Sequence, residues 1–253
     1  VFHFAAKAYV GESVQDPFKY YKNNIVGSES LLEAMQITNV KDIIFSSTCP
    51  TYGIPPKNQI INEEMHQEPI NPYGFTKFVI ERMLYDLSKI GKIRYIALRY
   101  FNASGACTEA NIGEKHEPET HLIPLAIQSH YDKNFTLQVY GCDYETKDGS
   151  AVRDYIHVDD LAVAHLKAFQ YMQSSNQSDH FNLGTGVGMS VLQILQSLKE
   201  LGLNPKFAIT DRREGDPGFL VADHKKAKRL LGWDKKKSIK EILQSANEWY
   251  KNQ

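Results

Sequence analysis

The two stretches that decide the fold are Asp42-Ile43-Ile44-Phe45-Ser46-Ser47-Thr48 and Asn71-Pro72-Tyr73-Gly74-Phe75-Thr76-Lys77. The first predicts a buried strand over 42–47, because a short apolar run that ends in polar residues is typical of one. In the second, Asn-Pro is a helix-start signal, and we expect a helix over 73–90. Another apolar run predicts a strand over 93–99, so the two strands are expected to lie parallel in one α/β sheet.

Tyr73 and Lys77 stand four residues apart, which puts both side chains on one face of a helix. A phenol has an ordinary pKa of about 10, and a nearby ammonium favours the phenolate. We therefore predict that this tyrosine accepts and returns a proton. Tyr85 and Lys89 repeat the spacing on the same helix but follow no strand-end hydroxyl, and we predict surface or packing roles for them. Thr48 ends the first strand, where it could bind a substrate hydroxyl or simply form a turn.

The residues before these stretches continue the pattern. Residues 1–6 predict a strand, 10–13 a loop, and 16–38 a helix with Pro in its first turn. Asn24 lies in that helix among apolar residues. It is either an amide on the helix surface or a residue that hydrogen-bonds a cofactor at the sheet edge. The alternation predicts a doubly wound parallel sheet of Rossmann type. Because the chain opens on an apolar run without Met, we expect it to be truncated at its N-terminus, inside the sheet.

The second half of the chain has a looser pattern. Residues 103–120 are polar and predict an extended loop. Beyond them short strands and helices alternate, which predicts a smaller, mixed α/β lobe that binds substrate. The expected strands are 137–141, 151–158 and 181–184, and the expected helices begin near 121, 159, 190 and 238.

The composition is ordinary for a globular protein, with 42% hydrophobic and 23% charged residues and a formal net charge of −1. That balance gives no support for binding to nucleic acid or to a membrane surface. No apolar run approaches the roughly 20 residues of a membrane span. The three cysteines, Cys49, Cys107 and Cys142, lack zinc-ligand spacing. They fit a reducing compartment, so we expect a cytoplasmic protein.

Arginine side chains of the second half are candidates for phosphate recognition, because a guanidinium binds phosphate through two parallel hydrogen bonds. Arg153 and Arg213 are the two candidates, and surface ion pairs with Asp154 and Asp216 are the alternative. Asp216 could equally accept hydrogen bonds from a polyhydroxylated ligand. Residues 184–188 lack the lysine of a phosphate loop and predict a strand-to-helix turn. No Glu-x-x-His or Cys/His cluster indicates a metal site, and none is predicted.

In its motifs the chain resembles the UDP-glucose 4-epimerases, a family of extended short-chain dehydrogenases/reductases. The resemblance covers essentially the whole chain, and the motifs occur in the family's order. They are His3-Phe4-Ala5-Ala6, Val10-Gly11-Glu12-Ser13, Tyr20-Tyr21-Lys22-Asn23-Asn24, Phe45-Ser46-Ser47-Thr48, Asn71-Pro72-Tyr73-Gly74 with Lys77, Leu98-Arg99-Tyr100-Phe101-Asn102, Pro118-Glu119-Thr120-His121-Leu122-Ile123-Pro124, Val152-Arg153-Asp154-Tyr155-Ile156-His157-Val158, Phe181-Asn182-Leu183-Gly184 and Arg212-Arg213-Glu214-Gly215-Asp216.

The resemblance implies an NAD-dependent epimerase of UDP-sugars. Tyr73, activated by Lys77 and the positive nicotinamide, would take the proton of the sugar 4-hydroxyl, while Thr48 hydrogen-bonds the 4-oxygen. Hydride would pass to NAD and return to the other face of a transient 4-keto sugar. The implied NAD contacts are Phe4, Ala5, Ala6, Lys7, Asn24, Thr48, Tyr73, Lys77 and Phe101. The implied UDP-sugar contacts are Thr48, Tyr73, Asn102, His121, Leu122, Arg153, Arg213 and Asp216.

The resemblance also implies a domain division and a homodimer. Residues 1–102 would be the C-terminal part of the NAD-binding domain, with returning segments near 153–185. Residues 103–253 would mainly form the UDP-sugar lobe. The homodimer would form through a helix bundle that includes the Tyr73 helix.

Three departures from the family pattern carry expectations of their own. The family's glycine-rich G-x-x-G-x-x-G turn is absent from these residues, so we expect the chain alone to bind NAD weakly. Ala8 stands where some members have a lysine, which puts that contact in doubt. Cys49-Pro50 follows Thr48 where small residues are usual, which predicts a different local turn and a modest redox liability at the thiol.

Three other functions are alternatives on the sequence, and the first of them is disfavoured. Sugar-nucleotide 4,6-dehydratases carry an Asp-Glu pair after the strand-end Thr, and Cys49-Pro50 in that place argues against dehydration. Epimerisation of a UDP-N-acetylhexosamine, uronate or pentose is a second alternative, because Leu220 lies near the expected sugar position and leaves the substrate range open. The third is an inactive homologue that serves only as a binding partner.

Overall fold

The computed structural model describes residues 1–56, 59–213 and 216–253. Its strands are β1 (Phe2–His3), β2 (Asp42–Thr48), β3 (Arg94–Tyr100), β4 (Asn102–Ser104), β5 (Leu137–Tyr140), β6 (Val152–Arg153), β7 (Tyr155–His157), β8 (Asp179–Leu183), β9 (Met189–Ser190), β10 (Phe207–Thr210) and β11 (Phe219–Leu220). Its α-helices are α1 (Val10–Gln15), α2 (Pro17–Tyr20), α3 (Gly27–Ile37), α4 (Pro72–Lys89), α5 (Leu122–Tyr131), α6 (Val158–Ser175), α7 (Val191–Glu200), α8 (Lys225–Leu231) and α9 (Ile239–Lys251). A π-helix spans Tyr21–Val26, and a 3-10 helix spans Cys49–Tyr52.

The main sheet has the order β1-β2-β3-β8, and all its pairings are parallel. Thr48 lies opposite Tyr100 in register, and Tyr100 lies opposite Leu183. The carboxyl ends of three strands therefore meet at one edge, which is where open α/β sheets bind ligands. This arrangement confirms the prediction of a parallel Rossmann-type sheet.

Alternate residues of a strand point to opposite faces of the sheet, and helices cover both of these faces. Ile43 and Phe45 pack with Leu84 of α4 on one face. Ile44 points to the other face and packs with Leu161 of α6 in a second cluster. All five side chains are at least nine-tenths buried, so the sheet is apolar on both sides.

The start of α4 is built for a close approach to the 3-10 helix. Asn71 caps the helix by accepting a hydrogen bond from the Gly74 amide at 2.8 Å, and Pro72 occupies the first turn. A Cβ on Gly74 would lie 2.6 Å from the carbonyl oxygen of Pro50. Glycine is therefore required here, since the helix could not otherwise pack against the turn that follows Thr48.

The N-terminal region differs from the sequence prediction at two points. Residues 10–13 were expected to be a loop, but they belong to α1. This short helix is held by tertiary contacts that propensity does not report: the Glu12 carboxylate accepts hydrogen bonds from the Tyr20 hydroxyl at 2.7 Å and from Lys19. The helix expected over 16–38 contains the π-helix, a wider turn that often occurs at functional sites.

The second half forms a smaller lobe of short strands and helices. Strands β5 and β10 pair in parallel, and β6 pairs with both β11 and β9. Capping boxes at Ser190 and Ser238 start α7 and α9 where the sequence indicated helix starts. Strand β8 belongs to the main sheet although it lies late in the chain. In the described ranges no helix combines the length and the apolar character needed to cross a membrane.

Candidate active site

Thr48 and Tyr73 meet at the carboxyl edge of the main sheet. The Thr48 side chain lies near the Tyr73 phenol and favours its ionised form. The backbone amide of Tyr73 donates to Ser13 Oγ at 3.2 Å, and Ser13 is completely buried. Ser13 thus joins α1 to the first turn of α4. The sequence analysis missed this positioning role, although Ser13 stood within one of the motifs.

Lys77 lies one turn after Tyr73 and is only 3% exposed. Its Nζ donates a hydrogen bond to the Ser46 carbonyl oxygen at 2.7 Å and lies 4.8 Å from the centre of the Phe45 ring. An ammonium has three N–H groups. Among the described residues the backbone of Ser46 uses one of them, so the others can bind hydroxyl groups of a ligand.

The electrostatics of the pair differ from the sequence prediction. Burial raises the pKa of Tyr73, and the nearby Thr48 side chain opposes that shift only in part. Burial also lowers the pKa of Lys77 to about 7. The lowered pKa that the sequence predicts for Tyr73 is therefore not found in these residues alone, because burial outweighs the interactions that favour the phenolate.

The lowered pKa of Lys77 predicts a pH-dependent stability. Folded Lys77 releases its proton near pH 7, whereas an unfolded lysine keeps it to about pH 10.4. Between these values the unfolded chain binds more protons, so stability rises with pH. Urea unfolding of wild type and Lys77→Met should show wild type gaining stability relative to the variant from pH 7 to 10. A difference independent of pH would contradict this.

Asn24 lies in the π-helix and is 1% exposed, so it is not a surface amide. Its Oδ1 accepts from the Lys7 amide at 2.8 Å, and its Nδ2 donates to the Lys7 carbonyl and to Thr76 Oγ1, each at 3.0 Å. Asn24 therefore ties the segment after β1 to the helix that carries Tyr73 and Lys77. In the structure its visible role is to position that segment.

The other residues expected at a cofactor lie near the same edge of the sheet. Phe4 and Ala5 follow β1 and are exposed, while Ala6 and Lys7 are half-buried. Phe101 follows β3 and is 6% exposed, in a small apolar cluster with Cys49 and the other buried residues Tyr52, Ile61, Leu220 and Ala222. The segment from Phe4 to Lys7 is thus accessible to a ligand, whereas the Phe101 ring is largely covered by protein.

The second tyrosine–lysine pair lies at the surface, as predicted. Tyr85 is 44% exposed, and Lys89 Nζ lies 5.0 Å from the centre of its ring. Neither side chain reaches the strand ends. The two pairs thus share a spacing but have opposite environments.

Arg153 and Asp216 form an ion pair across the second lobe, with Nη2 and Oδ1 2.6 Å apart. Arg213 stacks on the Tyr140 ring, 3.8 Å from its centre, and its carbonyl oxygen accepts from the Asp216 amide at 3.3 Å. The structure therefore brings all three predicted residues of this group together. Residues 214 and 215 of the same motif lie outside the described residues.

Asp154 does not pair with Arg153, contrary to the surface ion pair considered above. It is fully buried and accepts hydrogen bonds from the Thr185 amide at 2.7 Å, the Thr185 hydroxyl at 2.6 Å and the Gly186 amide at 3.0 Å. Residues 184–188 are thus a turn after β8, as predicted. The N–H and hydroxyl groups of this turn therefore bind the Asp154 carboxylate of the same chain.

Asn102, His121 and Leu122 stand at the starts of elements. Asn102 begins β4, and its backbone N–H donates to the backbone carbonyl oxygen of Asp154 at 2.9 Å. His121 precedes α5, and Leu122 is that helix's first residue. Burial lowers the pKa of His121, but hydrogen bonds to Glu114 and Glu119 outweigh it and raise the pKa to about 10.

The His121 contacts contain a feature that the sequence analysis missed. Glu114, His116, Glu119 and His121 bring their ligand atoms within 4.8 Å of one another. The sequence analysis predicted no metal site and did not consider this group of side chains. These four potential ligand residues fall within eight positions of the chain, and that density is the sequence signal for the cluster.

The model of the NAD dependent epimerase/dehydratase family matches residues 1–184. The chain belongs to this family. The matched part contains β1, β2, β3 and β8 of the main sheet, together with Thr48, Tyr73 and Lys77. It also contains Arg153, whereas Arg213 and Asp216 lie beyond it.

Individual relatives extend the similarity over nearly the whole chain. A UDP-glucose 4-epimerase of Lactobacillus helveticus is 47% identical over 254 residues, covering 100% of this chain and 77% of the relative. A crystal structure of UDP-glucose 4-epimerase from Brucella ovis in complex with NAD has a TM-score of 0.94 at 48% identity, covering 98% of this chain and 77% of the other. The UDP-glucose-4-epimerase from Stenotrophomonas maltophila, with bound NAD and formylated UDP-arabinopyranose, has a TM-score of 0.95 at 39% identity, covering 100% and 76%.

Cys49 departs from the pattern that the resemblance implied, but its environment makes it unreactive. It is 5% exposed, and burial raises the pKa of its thiol to about 12. Only the thiolate is a nucleophile. Iodoacetamide at pH 7.5 should therefore modify the half-buried Cys107 and Cys142 before Cys49, as measured by peptide mass spectrometry. Early modification of Cys49 would contradict this and restore the predicted redox liability.

Proposed function

We propose that this protein is an NAD-dependent UDP-glucose 4-epimerase, which interconverts UDP-glucose and UDP-galactose. The observation that carries the proposal is the placement of Tyr73 beside Thr48 at the strand ends, with buried Lys77 one helical turn away. Relatives named UDP-glucose 4-epimerase that align over nearly the whole chain support the choice of reaction. The Cys49-Pro50 sequence after Thr48 supports epimerisation over dehydration, because neither side chain can act as an acid or base there.

The residues at the sheet edge fit an NAD nicotinamide and its ribose. Lys77 is buried and retains N–H groups for ribose hydroxyls, and Asn24 holds the accessible segment that follows β1. When bound, NAD would supply the hydride acceptor and a positive ring charge. We propose NAD contacts by the residues that the resemblance implied, namely Phe4, Ala5, Ala6, Lys7, Asn24, Thr48, Tyr73, Lys77 and Phe101.

The chain's own residues would then handle the proton. Thr48 binds the 4-oxygen of the sugar, and Tyr73 takes the hydroxyl proton as the 4-keto sugar forms and returns it when the alcohol is restored. Burial makes the Tyr73 phenol a weak acid, so a stable phenolate needs positive charge close by. Lys77 provides part of that charge, and Glu81 helps to keep its ammonium protonated.

The second lobe would hold the nucleotide end of the substrate. Arg153 and Arg213 offer two guanidinium groups to the diphosphate, and Asp216 can accept hydrogen bonds from hydroxyls. In the described structure Asp216 pairs with Arg153, so substrate would compete for that contact. We propose further UDP-sugar contacts by Asn102, His121 and Leu122, and we assign residues 103–253 mainly to this lobe and 1–102 to the NAD-binding domain.

We also propose a cytoplasmic homodimer. Phe75 leaves apolar surface exposed on α4, and Phe18 adjoins it through Tyr21. Such a surface is typical of a protein–protein interface. The cysteines are all free thiols, which suits a reducing compartment.

The decisive experiment is a direct assay of the protein expressed from its complete gene. Purified protein with NAD and UDP-galactose should form UDP-glucose, measured by chromatography of the nucleotide sugars. We expect the hexose to be preferred and UDP-N-acetylglucosamine to be turned over more slowly. A dehydrated 4-keto-6-deoxy product, or no turnover by folded protein, would overturn the proposal.

A further inference from the structure

The loop between β4 and α5 gathers four metal-ligating side chains, Glu114, His116, Glu119 and His121. Glu114 Oε1 lies 3.0 Å from His116 Nδ1 and 2.5 Å from His121 Nδ1. Glu119 lies 3.4 Å from His116 Nδ1 through one oxygen and 2.9 Å from His121 Nδ1 through the other. Each carboxylate therefore touches both imidazoles, so the four groups converge on one point.

These spacings are close to those around a cation with tetrahedral coordination. Zinc bound at about 2.0–2.1 Å to nitrogen and oxygen requires its ligands to lie about 3.3 Å apart. The observed nitrogen–oxygen distances of 2.5 to 3.4 Å are at or slightly below that value. The four ligand atoms lie within 4.8 Å of one another, so ion binding would require the short nitrogen–oxygen pairs to spread and the widest pair to close.

Neighbouring groups already orient the cluster. The Thr120 and His121 amides donate to Glu119 Oε1 at 2.7 and 2.8 Å. Trp249 Nε1 donates to the Glu114 carbonyl oxygen at 2.8 Å, which holds that end of the loop against α9. Hydrogen bonds of this kind fix ligands in metal sites. The four side chains keep 16 to 43% exposure, so an ion can reach them from solvent.

We propose that Glu114, His116, Glu119 and His121 form a site for one divalent transition-metal cation of the zinc type. Two imidazole nitrogens favour such a cation over magnesium or calcium, which prefer oxygen ligands. Two carboxylates would balance its charge. Binding through Nδ1 leaves the second ring nitrogen of His121 available for the UDP-sugar contact proposed above.

The site would brace the second lobe against the candidate active site. The His116 ring lies 5.6 Å from the Tyr9 ring, centre to centre. The Tyr9 carbonyl accepts from the Ser13 amide at 3.0 Å, and Ser13 Oγ accepts from the Tyr73 amide. A cation would therefore tie the loop to the segment that supports the start of α4. This role is structural and does not depend on the proposed reaction.

Calorimetric titration with zinc chloride tests the proposal without an activity assay. Wild type should bind one equivalent of zinc, and His116→Gln should lose that binding. His66→Gln removes an exposed histidine outside the cluster and should bind as wild type does. Zinc should raise the thermal midpoint of wild type and His66→Gln but not of His116→Gln, because an ion that binds only the folded state stabilises it.

Cobalt(II) provides a readout that needs no variant. Wild type loaded with cobalt chloride should show the intense visible bands of a tetrahedral site, and zinc should displace them. Equal zinc binding by wild type and His116→Gln would overturn the proposal. So would wild type that takes up no zinc and shows only the pale spectrum of hydrated cobalt.

Discussion

Tyr73→Phe should lower turnover of UDP-galactose by about 10²- to 10⁴-fold, the usual contribution of a positioned acid–base group. The substitution removes one oxygen atom and keeps the ring, so the packing of the first turn of α4 is retained. It deletes the group that moves the proton and leaves Thr48 in place beside the ring. The measurement is kcat at saturating substrate for the protein expressed from its complete gene.

Tyr85→Phe is the matched control for this experiment. It makes the same chemical change on the same helix, at a side chain that is 44% exposed and remote from the strand ends. Its turnover should stay within about twofold of wild type, since surface substitutions of this kind are usually small in effect. Similar losses in the two variants would show that the wrong tyrosine has been assigned.

Arg99→Met should destabilise the fold by about 3–5 kcal/mol, because it leaves a buried carboxylate without its countercharge. Arg99 and Glu81 are 3% and 6% exposed, and Arg99 Nε lies 2.9 and 3.1 Å from the two carboxylate oxygens. Arg99 also donates to the Tyr52 hydroxyl at 2.8 Å. Ser47 donates to Glu81, so the pair joins β2, β3 and α4 directly beneath Thr48. Urea unfolding measures the loss.

Two further variants separate the buried charge from simple loss of packing. Arg82→Met removes an exposed arginine that pairs with Asp86 on the same helix, and it should change stability little, because solvent screens an exposed ion pair. Arg99→Met combined with Glu81→Leu removes both charges and should recover much of the stability. The interpretation fails if Arg99→Met costs no more than Arg82→Met.

Much of the fold followed from local sequence patterns. The strands β2 and β3, the helix α4 and the parallel arrangement were predicted within a residue or two, because buried strands and capped helices have clear periodicities. The loop assigned to 10–13 was wrong, since α1 depends on Glu12, Tyr20 and Ser13 contacts that no local pattern encodes. The role of Asn24 likewise depended on the π-helix that turns it inward.

The sequence by itself determined which chemical groups are present and on which elements they stand: a phenol and an ammonium on one helix face, and a hydroxyl at a strand end. Tertiary structure alone decided their environments. Burial raises the pKa of Tyr73 and lowers that of Lys77. The packing of the chain separates the Asp154 carboxylate from Arg153 and brings two glutamates and two histidines together. The spacing of residues along the chain specifies which face of a helix or strand a side chain occupies. Whether that side chain is desolvated, and which other side chains it meets, depends on what packs against that face.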